Sequence, residues 1–518
     1  MNQLPWLTII GAIPLVGALV VVLLPAGLAD RAKHVALGAS LVTLLFAVAA
    51  ALQFRTASSE QFQLVEQHRW IPQFGVSYAL GVDGIALVLI LMSVILTPIC
   101  LLAAWRDLPV AGEGAGTGRE KGYFALMLVL ETFMVGVFGA TDVFLFYVFF
   151  EAMLIPIYFL IGQYGGPRRQ YASMKFLLFS LLGGFVMLAA VIVLYTQGPG
   201  GPDGFLVSRL TGLQMNATTE RLLFLGFFFA FAIKAPMWPL HTWLPDAAAQ
   251  ARPATATLLV GVLDKVGTYG MIRFCLQLFP EASKWATPLV IALAVISVLY
   301  GALLAIGQTD IMRLVAYTSI SHFGFIVLGI FAFTTTAGAG STLYMLNHGF
   351  STAGLFLFAA MLISRRGSQR IPDFGGWQRV TPALGGVWLV AGLSGLALPG
   401  LGTFLSEFLV LVGTFQRYRV AAVLATAGMI LAALYILLMY KRMMTGPRPA
   451  IDVHVPDLTV RERWVAAPLI ALFLLLGFYP GPALDLINPA VRTTLSKVRV
   501  TDPAPVSGVP AAAEGGAK

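Results

Sequence analysis

The sequence predicts an all-α integral membrane protein, and its composition, its long apolar runs and its interrupted helices favour this fold class. Of the 518 residues, 58% are hydrophobic and 11% are charged, whereas about a quarter of the residues of a soluble domain carry a charge. Most of the chain falls into apolar runs of roughly 18 to 25 residues, long enough for a helix to cross about 30 Å of hydrocarbon. We count about fourteen such runs, each a predicted transmembrane helix.

The charged residues and cysteines exclude several other classes of protein. The formal net charge is +9, but the basic residues lie in short loops beside apolar runs and form no continuous face for nucleic acid. Cys100 and Cys275 lie far apart inside apolar runs and outside any Cys-x-x-Cys pattern. We therefore predict neither a disulfide framework nor a metal centre. The first run, residues 7–24, lacks the flanks of a signal peptide and is predicted to be a retained helix.

The loop charges predict an orientation. Lys and Arg residues are more numerous in loops after odd-numbered runs than in the other loops. By the positive-inside rule, the odd loops are cytoplasmic, and both termini face the outer, periplasmic side of a cell inner or plasma membrane.

Ionisable side chains inside the apolar runs are the candidate functional residues. Each costs at least about 2.5–3.5 kcal/mol at the centre of a membrane helix, so it usually faces a polar pathway. The stronger candidates are Glu151, Lys234, Lys265, His322, His348 and Glu407. The weaker candidates are Glu131 and His241. Four further aspartates lie near run ends or basic groups and are better explained as solvated or capping residues: Asp142, Asp246, Asp264 and Asp310.

Several of these candidates have a structural alternative. Glu151 could be only the counter-ion of Lys234, and Glu407 could cap a helix segment after a Pro/Gly break. His322 and His348 could be neutral, hydrogen-bonded histidines of a bundle core. Both readings stay open at the level of sequence.

Helix-breaking residues interrupt the seventh and the twelfth runs. Pro236, Pro239 and Pro245 follow Lys234, and a Pro/Gly cluster at residues 395–402 precedes Glu407. These residues remove helical hydrogen bonds, and the freed backbone groups must contact protein or water, which predicts hydrated cavities. Interrupted helices at corresponding positions about five runs apart are typical of transporters built from two inverted repeats.

The predicted organisation has five parts, of which two are inverted repeats of about five helices, each containing a broken helix. They are helices 1–3 in residues 1–121, the first repeat in 122–277, the second repeat in 285–443, a loop and the last helix in 444–485, and a polar, partly disordered tail in 486–518.

Five successive motifs resemble those of a known family. They are FYVFFEAMLIPIYFLIGQYGG, FAIKAPMWPLHTWLPDA, DKVGTYGMIRF, RLVAYTSISHFGF and LNHGFSTAGLFLF. In this order they are similar to signatures of the antiporter-like subunits of NADH:quinone oxidoreductase, complex I, and of Mrp-type cation/proton antiporters. The resemblance implies a fourteen-helix bundle in which Glu151 and Lys234 match a carboxylate–lysine pair, Lys265 a central lysine, and Glu407 a terminal ionisable residue.

Glu407 narrows the resemblance to one group of subunits. A lysine usually occupies this position in the L-type and N-type subunits and in Mrp-type antiporters, whereas a glutamate is similar to the M type. The segment after the last predicted helix is also too short for the lateral helix of the L type. The resemblance is therefore strongest to M-type subunits.

The resemblance implies a proton-translocating membrane-arm subunit driven by redox chemistry elsewhere. Flavin, iron–sulfur clusters and quinone would belong to partner subunits, with no cofactor in this chain. The implied partners are the other membrane-arm subunits, especially the L-type and N-type ones, together with lipids, protons and water, and no nucleic acid.

Burial and charge pairing suggest a mechanism for the implied transport. Burial disfavours the charged form of a lysine, whereas a nearby carboxylate favours it. We expect Glu151 to hold Lys234 protonated until their pairing loosens and the proton passes through water to Lys265. From there it would move by way of the two histidines towards Glu407.

Three alternatives remain at this stage. An Mrp-type sodium/proton antiporter subunit shares the fold and most motifs, and Glu407 argues against it. A membrane subunit of a hydrogenase-type or formate-linked complex would differ mainly in its partners. A purely structural scaffold would not need several charges in the middle of its membrane helices.

Overall fold

The structure, a computed structural model, describes residues 4–58, 60–106, 118–447 and 455–504. The first part of the chain comprises α1 (Trp6–Leu23), α2 (Ala32–Ala51), the antiparallel hairpin of β1 (Gln63–Ile71) and β2 (Val76–Val82), α3 (Gly84–Ala103) and α4 (Gly118–Gly139). The next part comprises α5 (Val143–Ala152), α6 (Leu154–Tyr164), α7 (Arg169–Gln197), α8 (Val207–Leu210), α9 (Ala217–Lys234), α10 (Trp243–Gln250), α11 (Pro253–Leu258) and α12 (Asp264–Gly270).

The second half of the chain is built from longer helices. It comprises α13 (Pro280–Ile306), α14 (Ile311–Phe331), α15 (Thr335–Arg366), α16 (Pro382–Gly395), α17 (Gly402–Arg417), α18 (Arg419–Met444), α19 (Val460–Phe478) and α20 (Gly481–Val498).

The described residues contain ten helices that are long and apolar enough to cross a membrane, or eleven if the bent pair α19 and α20 counts as one span. The predicted fourteen spans exceed this number because three of them, near Phe228, Leu259 and Leu396, do not form single long apolar helices. These three segments carry Lys234, Lys265 and Glu407. The predicted spans that do not form single long apolar helices are thus the ones in which an ionisable side chain and an irregular backbone occur together.

Both predicted interruptions are present. Helix α9 ends at Lys234 and α10 begins at Trp243, while α16 ends at Gly395 and α17 begins at Gly402. Backbone groups freed by the first break are satisfied locally, since the Trp243 indole N–H donates to the carbonyl of Ile233 at 3.0 Å. Such satisfaction is what membrane depth demands of a broken helix.

The eighth predicted span is irregular in a different way. Two π-helical segments, Leu259–Leu263 and Met271–Leu276, flank α12. A π-helical turn inserts an extra residue into the helical ladder and often lies at a functional site. Here the two π-helical segments enclose the short helix that carries Lys265.

The bundle has an inner and an outer set of helices. Most residues of α3, α14 and α15 are buried, whereas most residues of α1, α2 and α18 are not. The exposed positions of the outer helices are large and apolar, as at Leu45 and Ile430, which suits contact with lipid tails. His322 and His348 lie on two of these inner helices, α14 and α15.

Helix α20 covers the first part of the predicted polar tail. Residues 486–498 form most of this helix, so the ordered chain extends at least to Val498. Its apolar residues recur at three- and four-residue spacing, which buries one face while the other stays polar. The buried residues of that face are Ile487, Ala490, Val491, Thr494, Leu495 and Val498. Residues 505–518 of the predicted tail lie outside the described residues.

Candidate functional site

A line of contacts joins the central lysine to the second broken helix. The Lys265 Nζ lies 2.7 Å from His348 Nδ1, and the rings of His348 and His322 pack with centroids 5.2 Å apart. Tyr344 then connects the two elements, because its hydroxyl lies 2.7 Å from His322 Nδ1 and 3.4 Å from the Glu407 carboxylate. We call Lys265, His348, His322, Tyr344 and Glu407 the core polar chain. All five residues are buried.

The irregular helix prepares the position of Lys265. Its ammonium donates to the carbonyl of Val260, within the first π-helical segment, at 2.7 Å. The Phe323 ring lies 5.0 Å from the same nitrogen, a distance at which a ring face attracts a cation. A lysine buried among helices is thus held by a backbone dipole, a histidine and a ring, and it forms no ion pair within 4.0 Å among the described residues.

Asp264 corrects one prediction, because it neither caps a helix nor meets solvent. It is fully buried, and neither carboxylate oxygen has a hydrogen-bond partner among the described residues. It lies at the start of α12, between the two π-helical segments, rather than at the end of a span. From there it interacts electrostatically with both Lys234 and Lys265.

The Glu151 and Lys234 pair is close but not in contact. The two side chains interact electrostatically, yet no ion pair within 4.0 Å joins them. The Lys234 Nζ instead lies 5.1 Å from the Phe150 ring centroid and 5.5 Å from that of Phe176. Neither this nitrogen nor Glu151 Oε1 has a hydrogen-bond partner in the described part of the chain.

Two glycines make room for this arrangement. A Cβ at Gly184 of α7 would lie 1.8 Å from Glu151 Oε1, so the carboxylate occupies the space that a side chain would take. A Cβ at Gly267 of α12 would lie 2.5 Å from the carbonyl oxygen of Phe231 on α9. The helix of Lys265 therefore packs directly against the helix that ends at Lys234.

Glu407 does not cap the second half of its broken helix, so that alternative is wrong. It lies one turn inside α17, whose N-cap is Leu401 with no side-chain cap. The break is satisfied by other residues, since Asn347 Nδ2 donates to the Gly402 carbonyl at 2.7 Å and Thr403 Oγ1 donates to the Ser394 carbonyl at 2.5 Å. The carboxylate is left to face Tyr344.

The two weaker candidates lie away from the core polar chain. Glu131 is fully buried and accepts a hydrogen bond from Ser40 on α2 at 3.0 Å. His241 lies in the break between α9 and α10, with its ring edge-on to Tyr300 at 5.1 Å. Within the described part of the chain, neither residue hydrogen-bonds to a member of the core polar chain.

Of the three other aspartates, two have the predicted capping role and the third forms ion pairs. Asp142 and Asp310 cap α5 and α14 by accepting backbone N–H groups at 2.9 Å. Asp246 bridges two basic residues, Lys175 at 2.7 Å and Arg313 at 2.6 Å.

The tyrosines of the site were missed at the level of sequence. Tyr344 lies four residues before His348 on one helix face, a spacing that could have revealed it. Tyr435 lies 3.0 Å from His322 Nε2 and comes from the distant helix α18, so no local signal could have placed it. The described residues contain no group of three or more His, Cys, Asp or Glu side chains that could hold a metal ion.

Taken together, fold and site define a polytopic membrane protein in which a buried line of ionisable groups connects interrupted helices. The transmembrane family described as NADH:quinone oxidoreductase/Mrp antiporter matches residues 140–434. Over the whole chain, the sequence is 50% identical to NADH-quinone oxidoreductase subunit M of Mycobacterium tuberculosis, covering 100% of this chain and 99% of that relative. The chain belongs to this family, within its group of subunit M proteins.

Solved structures share this fold. A chain of respiratory complex I from Thermus thermophilus with bound NADH superposes with a TM-score of 0.84 at 30% identity, covering 95% of this chain and 99% of that chain. A chain of the Mrp complex from Dietzia sp. superposes with a TM-score of 0.82 at 22% identity, covering 96% of this chain and 100% of that one. The second similarity concerns the fold alone.

Proposed function

We propose that this chain is a proton-translocating membrane-arm subunit of NADH:quinone oxidoreductase, driven by redox chemistry in other subunits. Membership of the subunit M group supports the enzyme, and the core polar chain supports the transport. In the bundle interior, the contacts run from Lys265 to Glu407 through side chains that can both accept and donate protons. A scaffold would not need such a series at the cost of burial.

Glu151 of α5 and Lys234 at the end of α9 act as the input to this series. Glu151 stabilises the protonated form of Lys234, and burial destabilises it. Because the two groups are separated by more than an ion-pair distance, a small movement changes their attraction. The Asp264 carboxylate interacts electrostatically with both Lys234 and Lys265. It therefore couples a change in the charge of Lys234 to the central lysine.

The wider assignment follows from the same proposal. The chain forms fourteen transmembrane helices, counting the two interrupted ones and the π-helical span that carries Lys265, in two inverted repeats covering residues 122–277 and 285–443. Both termini and the β1–β2 hairpin face the outer side of a cell membrane. Flavin, iron–sulfur clusters and quinone belong to partner subunits, and the neighbours of this chain in the membrane arm are L-type and N-type subunits.

The test removes the central proton carrier and leaves its surroundings in place. In Lys265→Met, purified complex in liposomes should assemble and bind NADH normally but pump at least about tenfold more slowly, a loss that corresponds to about 1.4 kcal/mol. Lys284→Met is the matched control, since Lys284 lies near the surface and pairs with Glu281 at 2.9 Å. Proton uptake measured with a pH-sensitive dye decides the matter, and normal pumping by Lys265→Met would remove Lys265 from the route.

The Mrp-type sodium/proton antiporter remains the related alternative. It predicts transport that depends on sodium and a chain that purifies without redox subunits. Uptake measured with and without sodium in the same liposomes separates the two functions.

A further inference from the structure

A second polar line leaves Lys265 in the opposite direction along its own helix. Lys265, Tyr269, Arg273 and Gln277 recur every four residues, so they follow one face of the segment. The Tyr269 hydroxyl donates to the Phe138 carbonyl at 2.9 Å and accepts from Arg273 Nε at 3.2 Å. This line ends near the β1–β2 hairpin, and the proposed transport route does not use it.

Arg273 is the unusual member of this line. Its side chain is 1% exposed and pairs with Asp83 at 2.7 Å, at the start of α3. The Phe62 ring lies 4.8 Å from the guanidinium carbon, and Nη1 has no hydrogen-bond partner among the described residues. Arg273 lies inside the second π-helical segment rather than in a loop. A buried arginine keeps its charge, because a guanidinium does not deprotonate in proteins.

Helix α20 adds a second cation near the same end. Lys497 Nζ donates to Gln61 Oε1 and, at 3.4 Å, to Gln277 Oε1. Gln277 also accepts from Gln61 at 3.0 Å and donates to Thr494 at 3.0 Å. The polar line therefore continues from Arg273 to the surface of the hairpin side.

A small polar cavity of about 50 Å³ reaches this ion pair from outside. Asp83 and Gln277 lie at its inner wall, and Arg55 and Glu60 contribute further charges to its lining. With Arg273 and Lys497 included, three cations oppose two carboxylates. Water can enter a polar cavity of this size, so the ion pair separates outside water from the line that leads to Lys265.

We propose that Arg273, held by Asp83, is an electrostatic barrier that prevents protons on the hairpin side from reaching Lys265. The proposal rests on the proposed function, in which Lys265 carries protons and the hairpin faces the outer side, where the gradient drives protons back. A permanently charged guanidinium cannot pass a proton on, and its field opposes a hydronium ion. Fixed positive charges exclude protons from membrane pores in the same way.

The test measures leakage rather than pumping. Purified complex in liposomes builds a gradient with NADH, redox turnover is then stopped with an inhibitor, and the decay of the gradient is recorded. In Arg273→Gln we expect decay at least about threefold faster with NADH oxidation unchanged, because the repulsion of one unit charge at short range is lost. Arg273→Lys, which keeps a cation, should decay close to the unmodified rate. Arg69→Gln, on the exposed strand β1, is the control for loss of charge on this side.

A double variant identifies the route of the leak. Because Lys265→Met itself pumps slowly, the gradient in this comparison is imposed by a jump in external pH on the double variant, Arg273→Gln and the unmodified complex alike. Adding Lys265→Met to Arg273→Gln should return the decay to the unmodified rate, because the leak passes through Lys265. If the proton gradient decays at the unmodified rate in Arg273→Gln, with or without slower pumping, the proposal that Arg273 is a barrier is wrong. If Arg273→Gln does not assemble, Lys497→Gln decides instead: faster decay supports the barrier and unchanged decay contradicts it. The proposed function is read separately, from pumping by Lys265→Met alone.

Discussion

The two broken helices of the bundle treat their buried charges differently. At the first break, Lys234 lies between two aromatic rings and interacts with Glu151 without an ion pair within 4.0 Å. At the second break, Glu407 belongs to a line of side-chain contacts that reaches Lys265. The first region thus holds two opposite charges apart, whereas the second connects groups that can be neutral.

This difference assigns different tasks to the two regions. The attraction between two buried charges changes steeply with distance in a medium of low dielectric constant, so a pair held apart responds to small movements. A series of histidine and tyrosine side chains can accept a proton at one end, release one at the other and return to its neutral form. The first break is suited to switching, and the second to conduction.

The largest effect on proton pumping should follow from a change at Glu407, the last residue of the core polar chain. Glu407→Gln keeps the shape and polarity of the side chain but cannot ionise. We expect the pumping rate in liposomes to fall at least about tenfold with the amount of assembled complex unchanged. Glu407→Asp, a shorter carboxylate in the same place, should retain part of the rate.

Glu407→Ala serves to separate transport from folding. Because Glu407 makes no cap to its helix, Ala should pump about as poorly as Gln and assemble nearly as well. Full pumping by the Gln variant would rule out proton carriage by this residue. The proposed difference in task between the two broken helices would then be wrong.

A smaller but clear effect is expected at the switching pair. Lys234→Ala or Glu151→Ala removes one of two buried charges and leaves the other uncompensated. We expect pumping to fall by about three- to tenfold, measured as proton uptake per NADH oxidised in assembled complex. Normal pumping in either variant would exclude the pair as a functional switch.

Gly184→Ala tests the same pair without touching a charge. The added methyl group would fall 1.8 Å from Glu151 Oε1, so the carboxylate must move. Pumping should fall by about twofold or more if the position of the carboxylate matters. Gly38→Ala is the matched control, because nothing lies within 4 Å of a Cβ at Gly38. Equal pumping by both variants would show that the distance between the charges is not critical.

The sequence predicted the interruptions more accurately than the contacts made around them. Proline and glycine act locally, so the ends of α9 at Lys234 and α16 at Gly395 could be read directly. The role of Asp264 could not be predicted from the sequence, because it lies between π-helical turns that hydropathy does not register. The partner of Arg273 could not be predicted either, because Asp83 lies far away in the chain.

Amphipathicity explains a further difference. Helix α20 is too polar for a hydropathy window to detect, although its buried residues recur at helical spacing. A search for helical periodicity rather than mean hydropathy would have found it. The same search applied to Lys265 would have shown the four-residue polar spacing that leads to Gln277.

The smallest expected effect on pumping concerns Tyr344. In the core polar chain, its hydroxyl contacts both His322 and Glu407. Tyr344→Phe removes the contacts of 2.7 Å and 3.4 Å and keeps the ring that packs against the histidines. We expect about a twofold lower pumping rate rather than a loss, because water can take the place of a hydroxyl in a polar site.

Tyr435→Phe is the matched control. It removes a hydroxyl that contacts His322 Nε2 at 3.0 Å. Among the described residues this hydroxyl interacts with Glu407 electrostatically but forms no hydrogen bond to it. If Tyr344 carries the proton step, its variant should pump more slowly than Tyr435→Phe at equal assembly, and deuterated solvent should slow the Tyr344 variant by a different factor than the unmodified complex. If the two variants pump equally, the hydroxyls only orient His322, and the step to Glu407 does not pass through Tyr344.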